Sequence, residues 1–239
     1  MNARATPVTE HCDELLAALT EFRASAGITQ RWGEQLAAVL GDGGRLLAAG
    51  NGGSAAQAQH LTAELVGRYR DDRPAFSALA LHADTSSTTA IANDYGVDEV
   101  FARQVRAHGR TGDILILLST SGASANLLSA ADAARAIGMR VWALTGPAPN
   151  PLSAGSDQAL CVAGASTATV QELHLVAVHM ICEAFDAAVD QAGEAQRPMR
   201  GRLDGQRGGP TPVNGAARAR EPHPEGARGT GERVDGRRR

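Results

Sequence analysis

The residues best equipped for chemistry in this chain fall in two loops and on one helical face. The first loop, Gly50-Asn51-Gly52-Gly53-Ser54, ends the apolar run Leu46-Leu47-Ala48-Ala49 and opens a segment that carries His60 and Glu64. Glycines at such a junction let a ligand approach the backbone closely. A helix starting there also aims free N–H groups and a positive dipole end at an anion. The second loop, Ser119-Thr120-Ser121-Gly122-Ala123-Ser124, sets four hydroxyls and a glycine within six residues. One hydroxyl suffices to cap a helix. Four read better as a phosphate seat, in which hydroxyls and the first N–H groups of the next helix surround phosphoryl oxygens. His60 and Glu64 stand four residues apart, on one face of a helix. That spacing suits two ligands of one metal, and equally an ordinary surface contact.

The elements that must position these residues alternate in type. Short apolar runs bounded by Gly, Pro, Asp or Ser predict strands at 45–49, 76–81, 113–118, 141–144 and 158–162. Helical periodicity falls at 10–22, 29–40, 54–67, 97–108, 125–137 and 167–189. Alternation of this kind predicts a three-layer α/β/α sandwich with a five-stranded, mainly parallel sheet, preceded by two N-terminal helices. In such sheets ligands bind beyond the carboxyl ends of the strands, which brings the two loops to one edge.

Composition narrows the classes. All 23 Lys+Arg residues are Arg, so a lysine-dependent phosphate loop is excluded. Three scattered cysteines, Cys12, Cys161 and Cys182, argue against a disulfide framework and predict a reducing, cytoplasmic setting. No apolar run approaches the roughly 20 residues that span a bilayer, so no membrane partner is expected. Residues 197–239 carry +6 of net charge against −9 on residues 1–196, which together make the chain's −3. That last stretch is rich in Arg, Gly and Pro and lacks hydrophobic periodicity. It reads as a disordered tail without a specific nucleic-acid partner, after a single domain over 1–196.

Several separated motifs resemble one family. The two loops, together with Ala63-Glu64-Leu65-Val66-Gly67-Arg68-Tyr69, Asn93-Asp94-Tyr95-Gly96 and Gln171-Glu172-Leu173-His174, are similar in type and order to the sugar isomerase (SIS) fold of phosphoheptose isomerases. The resemblance implies conversion of sedoheptulose 7-phosphate to D-glycero-D-manno-heptose 7-phosphate, the first step towards nucleotide-activated heptose. It further implies Glu64 as base and His179 as acid, exchanging protons as an enediol forms. Asn51, Gly52, Gly53, Ser54, Glu64, Asn93, Asp94, Ser119, Thr120, Ser121, Ser124 and Gln171 would bind the phosphorylated heptose. Zinc, one per subunit, would be held by His60, Glu64, Gln171 and His179 in a homotetramer. Gln171 and His179 are eight residues apart, about 12 Å along a helix. Both reach one ion only if side chains lean together, the helix begins irregularly or neighbouring subunits supply them. In the alternative, Gln171 hydrogen-bonds the substrate only. The rival class is a non-catalytic SIS-domain protein that binds sugar phosphate or associates with a replication initiator. Retention of the acid–base set favours the enzyme.

Overall fold

The computed structural model describes residues 7–196; the tail expected at 197–239 lies outside them. In chain order the elements are α1 (Pro7–Phe22), a 3₁₀ turn (Arg23–Ser25), α2 (Ala26–Gly41), β1 (Leu46–Gly50), α3 (Gly53–Val66), β2 (Ala78–Ala80), α4 (Thr85–Tyr95) and α5 (Glu99–His108). They continue with β3 (Ile114–Ser119), α6 (Ala125–Ala136), β4 (Arg140–Thr145), α7 (Pro151–Ala154), β5 (Gln158–Cys161) and α8 (Thr167–Gln196). The five strands form one sheet in the order β2-β1-β3-β4-β5, and every neighbouring pair is parallel.

Strands β1 and β3 are buried along their whole length. This is what continuous apolar runs require when helices cover both faces of a sheet. Alternation then sorts their side chains between two cores. Leu46, Ala48, Ile114, Ile116 and Leu118 face α2, α3 and α8, while Leu47, Ala49, Leu115 and Leu117 face α5 and α6. On the first face Trp32 of α2 stacks on Trp142 of β4, with ring centroids 4.8 Å apart, and donates from Nε1 to Gln158 Oε1 at 2.8 Å. The expected three-layer sandwich, with its two N-terminal helices, is therefore present.

Two local expectations change. The run at 76–81 yields Ala78–Ala80 as strand; the Phe76 N–H donates to Leu65 O at the end of α3, while Ser77 O and Leu81 N still bond to Leu46 N and Ala48 O of β1. Helix α4, absent from the sequence reading, covers Asn93 and Asp94. Its Ser- and Thr-rich sequence shows no apolar stripe, and Ile91 is its one buried residue. Its start was nonetheless marked, since Asp84 caps it by accepting from Ser87 N at 3.1 Å.

Candidate active site

The strand order turns around between β1 and β3, the place where a parallel sheet opens a crevice at its carboxyl edge. Both predicted loops leave the sheet there. They are joined by a reciprocal amide pair: Asn51 Nδ2 donates to Asn126 Oδ1 at 3.0 Å, and Asn126 Nδ2 donates to Asn51 Oδ1 at 2.9 Å. Each amide keeps one N–H and further acceptor capacity, so Asn51 can still meet a sugar hydroxyl. Asn126 escaped the sequence reading. A polar residue in the first turn of a helix carries no spacing signal of its own.

Loop 119–124 is shaped by its own hydroxyls. Ser119 Oγ accepts from Gly122 N at 3.0 Å and Ser121 Oγ accepts from Ala123 N at 3.3 Å. The two hydroxyls also lie 3.5 Å apart, within reach of a bond from one to the other, which leaves at least one hydroxyl proton available to an anion. Ser124 is the N-cap of α6, yet its side chain makes no capping bond, which removes the ordinary reason for a serine at that position. The loop is braced from behind. Gly122 has φ +61, and a Cβ there would lie 2.0 Å from Asn150 Oδ1. Its carbonyl accepts from Leu152 N at 2.9 Å, while Asn150 Nδ2 donates to Thr145 Oγ1 at 3.0 Å.

The third group lies between α3 and α8. His60 Nε2 is 3.0 Å from His179 Nε2 and 3.2 Å from Glu64 Oε1. The Tyr69 ring packs on His179 with centroids 5.7 Å apart. His60 is two-fifths exposed and Glu64 less than one-fifth, so the cluster borders solvent while its carboxylate is sheltered. Gln171 sits elsewhere. Its amide abuts Gly53, where a Cβ would lie 2.6 Å from Oε1, and its backbone carbonyl accepts from Gln57 Nε2. Within this chain Gln171 therefore belongs beside the loop at 51–54, about 10 Å from His60 by the rise of α3.

Asn93 and Asp94 end α4 in an exposed position, with Asn93 Nδ2 donating to Asp94 Oδ1 at 2.8 Å. No hydrogen bond among the described residues ties them to the other site residues.

His174, one turn beyond Gln171, has no exposed surface, and neither ring nitrogen has a hydrogen-bond partner. Burial pushes its pKa down from 6.5 to about 4, against a smaller upward pull from the Thr145 backbone, which falls short of hydrogen-bond geometry. It is a neutral core histidine; burial also lowers the pKa of His82, which is only partly buried and has Nε2 3.3 Å from Gln59 Oε1. A consequence for stability follows. Above about pH 6.5 the folded and unfolded chains both hold His174 neutral. As pH falls the unfolded chain takes up the proton first, so stability is lost between 6.5 and about 4 and the loss levels off below. The effect is on the order of 3 kcal/mol. Denaturant titrations of wild type and His174→Leu at about pH 7 and about pH 4.5 should show a smaller pH dependence in the variant. Equal dependence in both would refute this account.

The family model of the SIS domain matches residues 10–146. A phosphoheptose isomerase of Streptomyces coelicolor is 82% identical over 191 residues, covering 80% of this chain and 83% of that protein. One of Thiobacillus denitrificans is 51% identical over 151 residues, covering 62% and 77%. Among solved structures, a phosphoheptose isomerase from Francisella tularensis superposes with a TM-score of 0.72 at 34% identity, covering 75% of this chain and 96% of its own. One from Neisseria gonorrhoeae gives 0.70 at 41% identity, covering 75% and 97%.

Proposed function

Since the chain belongs to the phosphoheptose isomerases of the SIS domain family, and is thus an isomerase acting on a phosphorylated heptose, we propose that it converts sedoheptulose 7-phosphate to D-glycero-D-manno-heptose 7-phosphate by proton transfer through an enediol. The observation that carries this reading is the side-chain cluster His60, Glu64 and His179 between α3 and α8, carried in part by the helix that opens from the first of two linked loops at the carboxyl edge of one sheet. The phosphate sits in loop 119–124 against the uncapped start of α6, where hydroxyls of Ser119, Thr120, Ser121 and Ser124 and the helix dipole replace the missing lysine. The sugar extends past Asn51, Gly52, Gly53 and Ser54 towards α3, with Gln171 on its flank and Asn93 and Asp94 at the open side.

Moving a proton between adjacent carbons needs a base that is ionised and close, and an acid that serves the oxygens. Glu64 takes the proton from one carbon and returns it to the next. His179 donates to the carbonyl oxygen that becomes a hydroxyl and recovers a proton from the other. His60, touching both, holds their orientation.

The donor set also suits zinc. Two imidazoles and a carboxylate lie 3.0 and 3.2 Å from one another through His60, near the ~3.3 Å edge of a tetrahedron with bonds of ~2.0 Å. No three His, Cys, Asp or Glu side chains form a ready ligand group among the described residues, so holding an ion requires side-chain adjustment. His60, Glu64 and His179 are its ligands in this reading, and Gln171 serves the substrate. Bound zinc would polarise the substrate's carbonyl and hydroxyl oxygens and stabilise enediolate charge.

We read the enzyme as a cytoplasmic homotetramer. The free cysteines support the first part, and exposed Leu16, Val66 and Leu175 on α1, α3 and α8 support self-association. No described helix is long and apolar enough to cross a membrane.

Purified protein incubated with sedoheptulose 7-phosphate should form the aldose, observable by NMR, and lose most of that activity after thorough chelation. Absence of turnover with or without added zinc would remove the reaction. Turnover untouched by complete metal removal would keep the reaction and discard the metal.

A further inference from the structure

We propose that Arg73, through an ion pair with Asp186, is a positioning residue that sets Glu64 against His179. The proposal rests on the reading of Glu64 as the base. Helix α3 ends two residues after Glu64, so the carbonyls of its last turn have no partners within the helix. The chain then loops away and returns, and Arg73 delivers its guanidinium to that helix end. Nη2 donates to Glu64 O at 2.7 Å, and Nη1 donates to Leu65 O at 3.1 Å and to Pro74 O at 3.0 Å. Nε donates to Asp186 Oδ1 at 2.6 Å. The Arg73 side chain is only 5% exposed and lies near the Phe76 and Phe185 rings, 5.5 and 5.1 Å from their centroids.

Asp186 lies seven residues after His179 on α8, two turns along the same face. Helices α3 and α8 are thereby pinned at two heights: by His60 against His179, and by Arg73 between the Glu64 carbonyl and Asp186. The backbone of the proposed base is thus tied to the helix that carries the proposed acid. A positive charge at the C-terminal end of α3 also complements the negative end of the helix dipole. Only arginine can do all of this at once, since its planar fork reaches three directions. A lysine ammonium is one point on a flexible stem.

Arg73→Lys keeps the charge for Asp186 and the apolar stem, so it should fold. It loses the divided donation to Glu64 and Leu65. The expected result with sedoheptulose 7-phosphate is a kcat lower by about ten- to a hundredfold, because small misplacements of a reacting group have effects of that size. KM should stay within about twofold, because no contact to substrate is removed. Asp186→Asn, which weakens the anchor, should shift kcat in the same direction by a smaller factor, and it decides the question if Arg73→Lys does not fold. A folded variant with lowered melting temperature but wild-type kcat would overturn the proposal, leaving the ion pair a purely structural contact. Glu64→Gln run alongside separates the two layers. If it is active, the base assignment fails and the clamp with it. If it is inactive while Arg73→Lys is fully active, the clamp alone fails.

Discussion

Glu64→Gln is expected to fold, bind sugar phosphate and turn over at least about a thousandfold more slowly, within the range that loss of a positioned acid or base produces. The substitution is nearly isosteric. Its amide can still approach His60 Nε2, which lies 3.2 Å from the native carboxylate, and Arg73 still holds the residue's carbonyl. What disappears is the carboxylate, and with it the capacity to accept a proton from carbon and the anionic oxygen offered to zinc. Binding should survive because the phosphate seat is on a different loop, after a different strand. Turnover by NMR and substrate affinity by calorimetry test the two halves. Activity within about tenfold of wild type would remove Glu64 from the proton transfer, while lost affinity with intact folding would make it a binding residue.

Gly146→Ala is expected to weaken sugar-phosphate binding by about ten- to a hundredfold. Gly146 follows β4 directly and is buried, and its N–H donates to Ser119 O at 3.3 Å. A Cβ at this position would lie 2.1 Å from Thr120 O. The obstacle is backbone, so no rotamer change relieves it, and loop 119–124 must move as a unit. Overpacking of this kind costs about 1–3 kcal/mol. Part of that cost falls on the hydroxyl geometry, because Gly122 is fastened to Ser119 Oγ and to Leu152. A rise in KM with a smaller change in kcat is the expected signature. An unchanged KM would mean that the phosphate does not sit in this loop.

The two substitutions differ in how visible their sites were beforehand. Glu64 lies at helical spacing from His60 behind a glycine loop, and every part of that pattern is local. Gly146 gave no signal, because its meaning comes from Thr120, which the β3–β4 pairing of Ser119 with Thr145 brings alongside. Asn126 and Arg73 share this character. Each acquires its role from a partner far along the chain, Asn51 in one case and Glu64 with Asp186 in the other. Helix α4 was hidden for another reason. Its hydroxyl-rich sequence buries little, so hydrophobic periodicity could not reveal it.

Local patterns in the sequence determined the five strands, most of the helices, the three-layer class and the two loops at one sheet edge. Apolar period and strand-to-helix turns are written in neighbouring residues, and burial on two faces leaves few ways to satisfy them. Side-chain meetings between distant elements belonged to the tertiary structure alone. Packing of α3 against α8 set His60 against His179 and kept Gln171 beside Gly53, although all of them were candidates for one metal shell. Helix rise bounded that separation. Only the relative placement of two helices could say which side chains share a space.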